Sequence, residues 1–162
     1  MWEHLNSVII SGKGVPDVGT LRFLRMLKDI FPGVPTCALV DCNPCGVIIL
    51  NCYKHGASSA PGIELEKEPL ADSSLAWIGL HTRDAQKVHH RLVKNLTIRD
   101  RTILQNLLKD SHARISPDVM LEIEHMCKWG KKADIEVAYT LMGRKSFGEW
   151  VVSRILQKQW IA

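Results

Sequence analysis

Five consecutive residues, Asp41-Cys42-Asn43-Pro44-Cys45, carry the densest chemistry in the chain. Side chains alternate along an extended strand, so Asp41 and Asn43 share a direction and could bring two oxygens to one hard cation such as Mg²⁺. One carboxylate and one amide make a weak site, because magnesium takes one or two carboxylates and completes its shell with water and phosphate. The same residues also suit a plainer task. Asp and Asn accept backbone N–H bonds at helix starts, so either one could cap a helix that begins at Pro44. Cys42 and Cys45 form a C-x-x-C pair at this point, and a thiol at a helix N-terminus is acidified as in thioredoxin-like dithiols. Small thiols buried in a core are the alternative. Cys37, Cys52 and His55 add zinc-type side chains, although Cys52 and His55 share one helix, a poor start for tetrahedral geometry.

A second cluster is Gly12-Lys13-Gly14, which offers flexible backbone and one cation suited to a phosphate. It lacks the spacing of a nucleotide P-loop, so it does not imply ATP. A third is the basic run Arg83, Lys87, Arg91 and Lys94, whose steps of four, four and three fall on one face of a helix. Such a stripe either follows a phosphodiester backbone or is a solvated face.

Positioning these residues calls for an α/β arrangement. Val8, Ile9 and Ile10 form an apolar run closed by the glycine turn, which predicts a buried strand. Asp17 can cap a helix over 18–31, whose apolar residues Leu21, Phe23, Leu24, Leu27, Ile30 and Phe31 recur at helical spacing. Pro32, Gly33 and Pro35 end it. A non-alternating second strand over 37–40 suits a parallel strand covered on both faces, and a helix over 44–53 follows. The expected ligand site of such a βαβ unit lies beyond the carboxyl ends of its strands, where both the glycine turn and Asp41 fall. A polar loop is expected over 56–74, a third strand over 76–80, and helices over 83–94, 98–110, 117–129, 132–142 and 147–158.

Composition narrows the class without choosing a function. The 162 residues are 46% apolar and 23% charged, as in an ordinary globular domain. The formal charge of +4 is too mild to mark a nucleic-acid binder. Its distribution is more telling: the net charge is +1 over 1–60, −3 over 61–81, +5 over 82–116 and +1 over 117–162. No apolar run reaches the ~20 residues of a membrane span. The N-terminal residues carry no secretory pattern, and five cysteines then read as reduced thiols in an intracellular compartment.

Several motifs in order carry a resemblance. The run Ile10-Ser11-Gly12-Lys13-Gly14-Val15-Pro16-Asp17, then Leu39-Val40-Asp41-Cys42-Asn43-Pro44 with Gly46, then Tyr53-Lys54-His55-Gly56, resembles the Toprim domain found in the A-type chain of topoisomerase VI. The eukaryotic relatives that make meiotic double-strand breaks are the nearer match. Ala76-Trp77-Ile78-Gly79-Leu80, Leu96-Thr97-Ile98-Arg99-Asp100, Leu121-Glu122-Ile123-Glu124-His125-Met126 and Lys132-Ala133-Asp134-Ile135-Glu136 extend it over almost the whole chain. The resemblance implies a Toprim-like parallel sheet with flanking helices, residues 1–81 forming the βαβ core and 82–162 a helical continuation of the same domain.

It implies a type IIB topoisomerase-like DNA transesterase acting in meiotic recombination, hence double-stranded DNA as partner and a nuclear location. Further implied partners are a second copy of the A-type chain, making a homodimer, together with a B-type ATPase-like chain. In that family Mg²⁺ is held by a glutamate and an Asp-x-Asp pair, neutralising charge near the scissile phosphate. Carried over, Asp41 and Asn43 are the metal positions, with Asn43 a departure that brings no charge. Lys13, Gly14, Val15 and Arg99 are the DNA-facing residues. The family nucleophile is a tyrosine on an upstream winged-helix domain, and neither Tyr53 nor Tyr139 stands in a matching context, so this chain alone is expected to be inactive. The competing expectations are a dithiol oxidoreductase using Cys42 and Cys45, and a non-catalytic interaction module.

Overall fold

The computed structural model describes residues 5–56, 72–109 and 114–161, leaving aside the side chains of 141–145. Most of the polar loop expected over 56–74 lies outside the described residues. The described chain is mixed α/β and mostly helical. Its elements run α1 (Val18–Ile30), β1 (Cys37–Ala38), α2 (Pro44–His55), β2 (Ala76–Trp77), α3 (Thr82–Ala85), β3 (Lys94–Asn95), α4 (Ile98–Lys109), α5 (Pro117–Trp129), β4 (Lys131–Lys132) and α6 (Glu136–Leu156).

β1 and β2 pair in parallel, Cys37 opposite Ala76 and Ala38 opposite Trp77, with α2 in the crossover between them. The ladder continues past the short strands through the Ile78 N–H bond to the Ala38 carbonyl at 2.9 Å. On the far edge, Ile161 exchanges antiparallel bonds with Trp77 at 2.8 and 3.1 Å, so the tail of the described chain adds a third line of backbone. β3 and β4 form a separate antiparallel ribbon with Lys94 opposite Lys132.

Local chemistry explains the helix starts. Asp17 accepts the Thr20 N–H at 2.7 Å and caps α1. Asn43 accepts the Gly46 N–H at 2.8 Å, and Pro44 then occupies the first helical position, where its missing N–H costs nothing. One cluster of buried side chains runs from Ala38 to Phe147. Trp77, Leu80, Leu104, Ile123 and Met126 are fully buried within it, each worth roughly 1.5–3 kcal/mol of burial.

Four expectations are corrected. The run Val8, Ile9 and Ile10 is not a buried strand: it joins no ladder, and Val8 and Ile9 are 70% and 72% exposed. A β-forming run needs a partner edge as well as apolar side chains, and this one meets none among the described residues. α1 buries only Leu21, while Phe23, Met26 and Ile30 remain exposed, so its apolar face does not all meet the core. The helix expected over 83–94 stops after one turn. Val88 and Leu96 turn into the core, and Lys94 is drawn into the β3–β4 ribbon, so Arg83, Lys87, Arg91 and Lys94 do not line one helical face. Conversely, 132–142 and 147–158 are not two helices. α6 is continuous, and the stacking of Tyr139 on Phe147 (centroids 4.2 Å apart) ties its two halves together.

Candidate functional site

Asp41 and Asn43 lie between β1 and α2, as expected, and both face the segment between β4 and α6. The Asp41 Oδ1 accepts the Ile135 N–H at 2.7 Å. The Asn43 Oδ1 is the α2 cap, and its Nδ2 donates to Asp134 Oδ1 at 3.1 Å. Lys94 reaches across from β3, its Nζ 2.5 Å from the other Asp134 oxygen. An antiparallel bridge between Cys42 and Ala133 holds the two segments in register. The cluster is therefore Asp41, Asn43, Asp134 and Lys94. Its last two members escape any reading of local spacing, since Asp134 stands 91 residues from Asn43.

Magnesium requires near-octahedral oxygens at about 2.0–2.1 Å. This donor set does not fit it. The Asn43 amide oxygen is spent on the Gly46 N–H, its N–H₂ side faces the neighbouring carboxylate, and an ammonium already sits on Asp134. The Lys94 hydrogen bond holds the Asp134 carboxyl below its ordinary range, and the same bond raises Lys94. Among the described residues, no three His, Cys, Asp or Glu side chains converge as a metal centre.

Cys42 is fully buried, its Sγ 3.8 Å from the Thr82 hydroxyl. Burial pushes its pKa up to about 12, the reverse of what a dithiol oxidoreductase needs. This geometry overturns the dithiol expectation: Cys42 faces Thr82 in the core, whereas Cys45 is exposed.

The glycine turn is held by different residues. Lys13 and Gly14 have positive φ, at 53° and 115°, and Lys13, Gly14 and Val15 are exposed. Tyr53 of α2 lies against it, its hydroxyl hydrogen-bonded to the Gly12 backbone, and a Cβ at Gly12 would overlap that hydroxyl. Arg99 is exposed in the first turn of α4, next to Asp100. Asp100 is buried, accepts the Thr97 N–H at 2.8 Å and pairs with Lys132 at 2.7 Å. The expected DNA-facing residues are thus all at the surface. Asp41 and Asn43 come together, whereas Lys13 and Arg99 are held by separate elements.

The structure also contains a buried polar network that sequence reasoning misses. His81 Nε2 donates to the Trp77 carbonyl at 3.1 Å, and its Nδ1 accepts from Arg154 at 2.5 Å. These partners define a neutral imidazole protonated on Nε2. Arg154 also donates to Asp84 at 2.7 Å, and the Glu122 carboxylate accepts the Thr82 N–H. The network joins β2, α3, α5 and α6. Burial, with the adjacent Arg154 charge, lowers His81 from 6.5 to about 4.

An unfolded imidazole binds its proton near 6.5, so stability present above that pH is lost as pH falls toward 4, by roughly 3 kcal/mol in all. Urea unfolding at pH 7 and pH 4.5 should show most of that loss, and His81→Gln should remove it. An unchanged pH dependence in the variant would contradict this assignment.

Comparison with known proteins places these observations. The family model for the Toprim domain shared by the topoisomerase 6 A-type chain and Spo11 matches residues 1–151. Meiotic recombination protein SPO11-2 of Oryza sativa subsp. indica is 32% identical over 99% of this chain and 40% of its own length. Meiotic recombination protein SPO11 of Mus musculus is 30% identical over 89% of this chain and 38% of its own. The A3 chain of DNA topoisomerase 6 from Oryza sativa subsp. indica is 29% identical over 99% and 36% respectively. The chain thus spans about two fifths of the length of the relatives it matches. With a small parallel sheet whose crossover helix begins at the Asp41–Asn43 turn, and with the family model covering nearly its whole length, the chain belongs to the TOP6A-Spo11 family, over the Toprim domain.

Proposed function

We propose that this chain is the DNA-binding Toprim part of a protein that acts in meiotic recombination by forming DNA double-strand breaks. The observation that carries the reading is the ordered match of the Toprim family model over 1–151, joined to exposed cations at the glycine turn and on α4. In this reading Lys13, Gly14, Val15 and Arg99 meet the phosphodiester backbone, where cations set register and salt dependence. Asp41 and Asn43 occupy the family's metal position, with Asp41 the charged member of the pair. Two A-type chains with a B-type ATPase-like chain complete the assembly, which works in the nucleus.

Neither tyrosine in the chain is assigned as the nucleophile. The Tyr53 hydroxyl is engaged by the Gly12 backbone, burial raises its pKa, and Tyr139 is stacked on Phe147. The attacking group belongs to residues other than these.

Charge-removal variants test the reading. Lys13→Ala and Arg99→Ala should each weaken binding to duplex DNA across sequences and reduce the slope of log affinity against log salt by about one. Variants that bind like the parent chain at every salt concentration would overturn this placement of the DNA.

A further inference from the structure

We propose that Lys94 is the resident cation of the Asp41–Asn43–Asp134 cluster, and that with Asn43 it keeps the cluster closed to a divalent metal. The inference relies on the family reading only for the expectation that a metal would sit here. The side chains of Asp41, Asn43 and Asp134 bring five oxygens to this cluster: two, one and two respectively. Four of them already have partners, namely the Ile135 N–H, the Gly46 N–H, the Asn43 N–H₂ and the Lys94 ammonium.

The arrangement is held from both sides. Asn43 cannot turn its oxygen toward the cluster without uncapping α2, because that oxygen accepts the Gly46 N–H at 2.8 Å. Lys94 is delivered by the β3–β4 ribbon, in which it stands opposite Lys132. Lys132 is committed to Asp100 at 2.7 Å, so these two facing lysines each pair with a different carboxylate. Asp41 and Glu136 add their negative charge around Lys94.

An exposed lysine–carboxylate pair is individually weak, because solvent screens both charges. Lys94 alone would therefore be a poor barrier to a metal. The amide is the firmer part of the lock, because it places two donors where a carboxylate would place two acceptors. A divalent ion that took the Asn43 oxygen as a ligand would need to displace Lys94 and uncap α2 together. The chemistry favoured here is a fixed monovalent ammonium in place of an exchangeable divalent ion.

Mn²⁺ titration followed by amide NMR tests this in the full chain without DNA, so the outcome does not depend on whether DNA is bound. The parent chain should show no selective paramagnetic broadening at residues 41–46 and 134–136. Asn43→Asp with Lys94→Ala should gain broadening there, with Mn²⁺ and Mg²⁺ affinity rising by at least about tenfold. Aspartate caps helices as well as asparagine does, so the double variant should keep its circular dichroism spectrum. Selective broadening in the parent chain, abolished by Asp41→Ala, would overturn the proposal. A folded double variant that gains no metal affinity would overturn it equally.

Discussion

Replacing Arg154 by methionine is expected to cost about 3–5 kcal/mol, the largest loss from any single charged side chain here. Arg154 is 2% exposed, although it lies on the last turn of α6. Its guanidinium donates to Asp84 at 2.7 Å and to His81 Nδ1 at 2.5 Å, and packs 4.8 Å from the centre of the Trp150 ring. Methionine fills much of the volume but leaves the Asp84 carboxylate and the His81 acceptor without this donor. Leaving one partner of a buried pair unpaired costs more than the pair contributed. The variant carries a second signature. With the neighbouring positive charge gone and Asp84 still present, His81 should titrate closer to its ordinary value. Urea unfolding and histidine NMR titration check the two parts, and a loss below about 1 kcal/mol would contradict the network's role.

The second large effect is expected for Gly46→Ala, at about 2–3 kcal/mol. A Cβ at Gly46 would overlap the Asp41 carbonyl oxygen and lie 3.0 Å from both the Asp41 N and C atoms. These are backbone atoms, and neither side can yield easily. The Asn43 cap holds the Gly46 N–H at 2.8 Å, and the Ile135 N–H holds the Asp41 side chain at 2.7 Å. Relief would require opening the turn that carries both candidate residues. Thermal unfolding should register the loss, and the Asn43 and Asp134 signals should move in the folded fraction. Wild-type stability in the alanine variant would show that the turn is looser than this geometry.

The elements most legible in sequence alone are those whose signals are local. Asp17 and Asn43–Pro44 announce helix starts because capping depends on atoms within three residues. The unalternating runs at Cys37 and Ala76 reveal parallel strands because both faces are covered. The failures share a distant cause. Val8 and Ile9 have strand-forming side chains, yet a strand exists only where another edge meets it. The stripe from Arg83 to Lys94 has helical spacing, but burial of Val88 and Leu96 and the β3–β4 pairing take precedence over that spacing. Tyr139 and Phe147 hold α6 together across a stretch that reads as a break.

The candidate site shows the same division. Asp41 and Asn43 stand out because two positions share a direction, and the capping role of Asn43 is legible from its place before Pro44. Their partner Asp134 and its lysine come from elements far along the chain, as do the His81, Asp84 and Arg154 that brace the turn into α3. Charge counts along the sequence could not distinguish Lys94, which faces carboxylates, from Lys13, which is exposed at the glycine turn.

In the function proposed for it, the Toprim region holds duplex DNA through exposed cations, and a salt titration of the parent chain is the sharpest test of that role. Fluorescence anisotropy of a labelled duplex in EDTA, over roughly 50–200 mM monovalent salt, gives the affinity at each step. Binding is expected at low salt, with the logarithm of affinity falling linearly and steeply with the logarithm of salt concentration. Absence of binding at low salt, or an affinity that salt does not change, would contradict it.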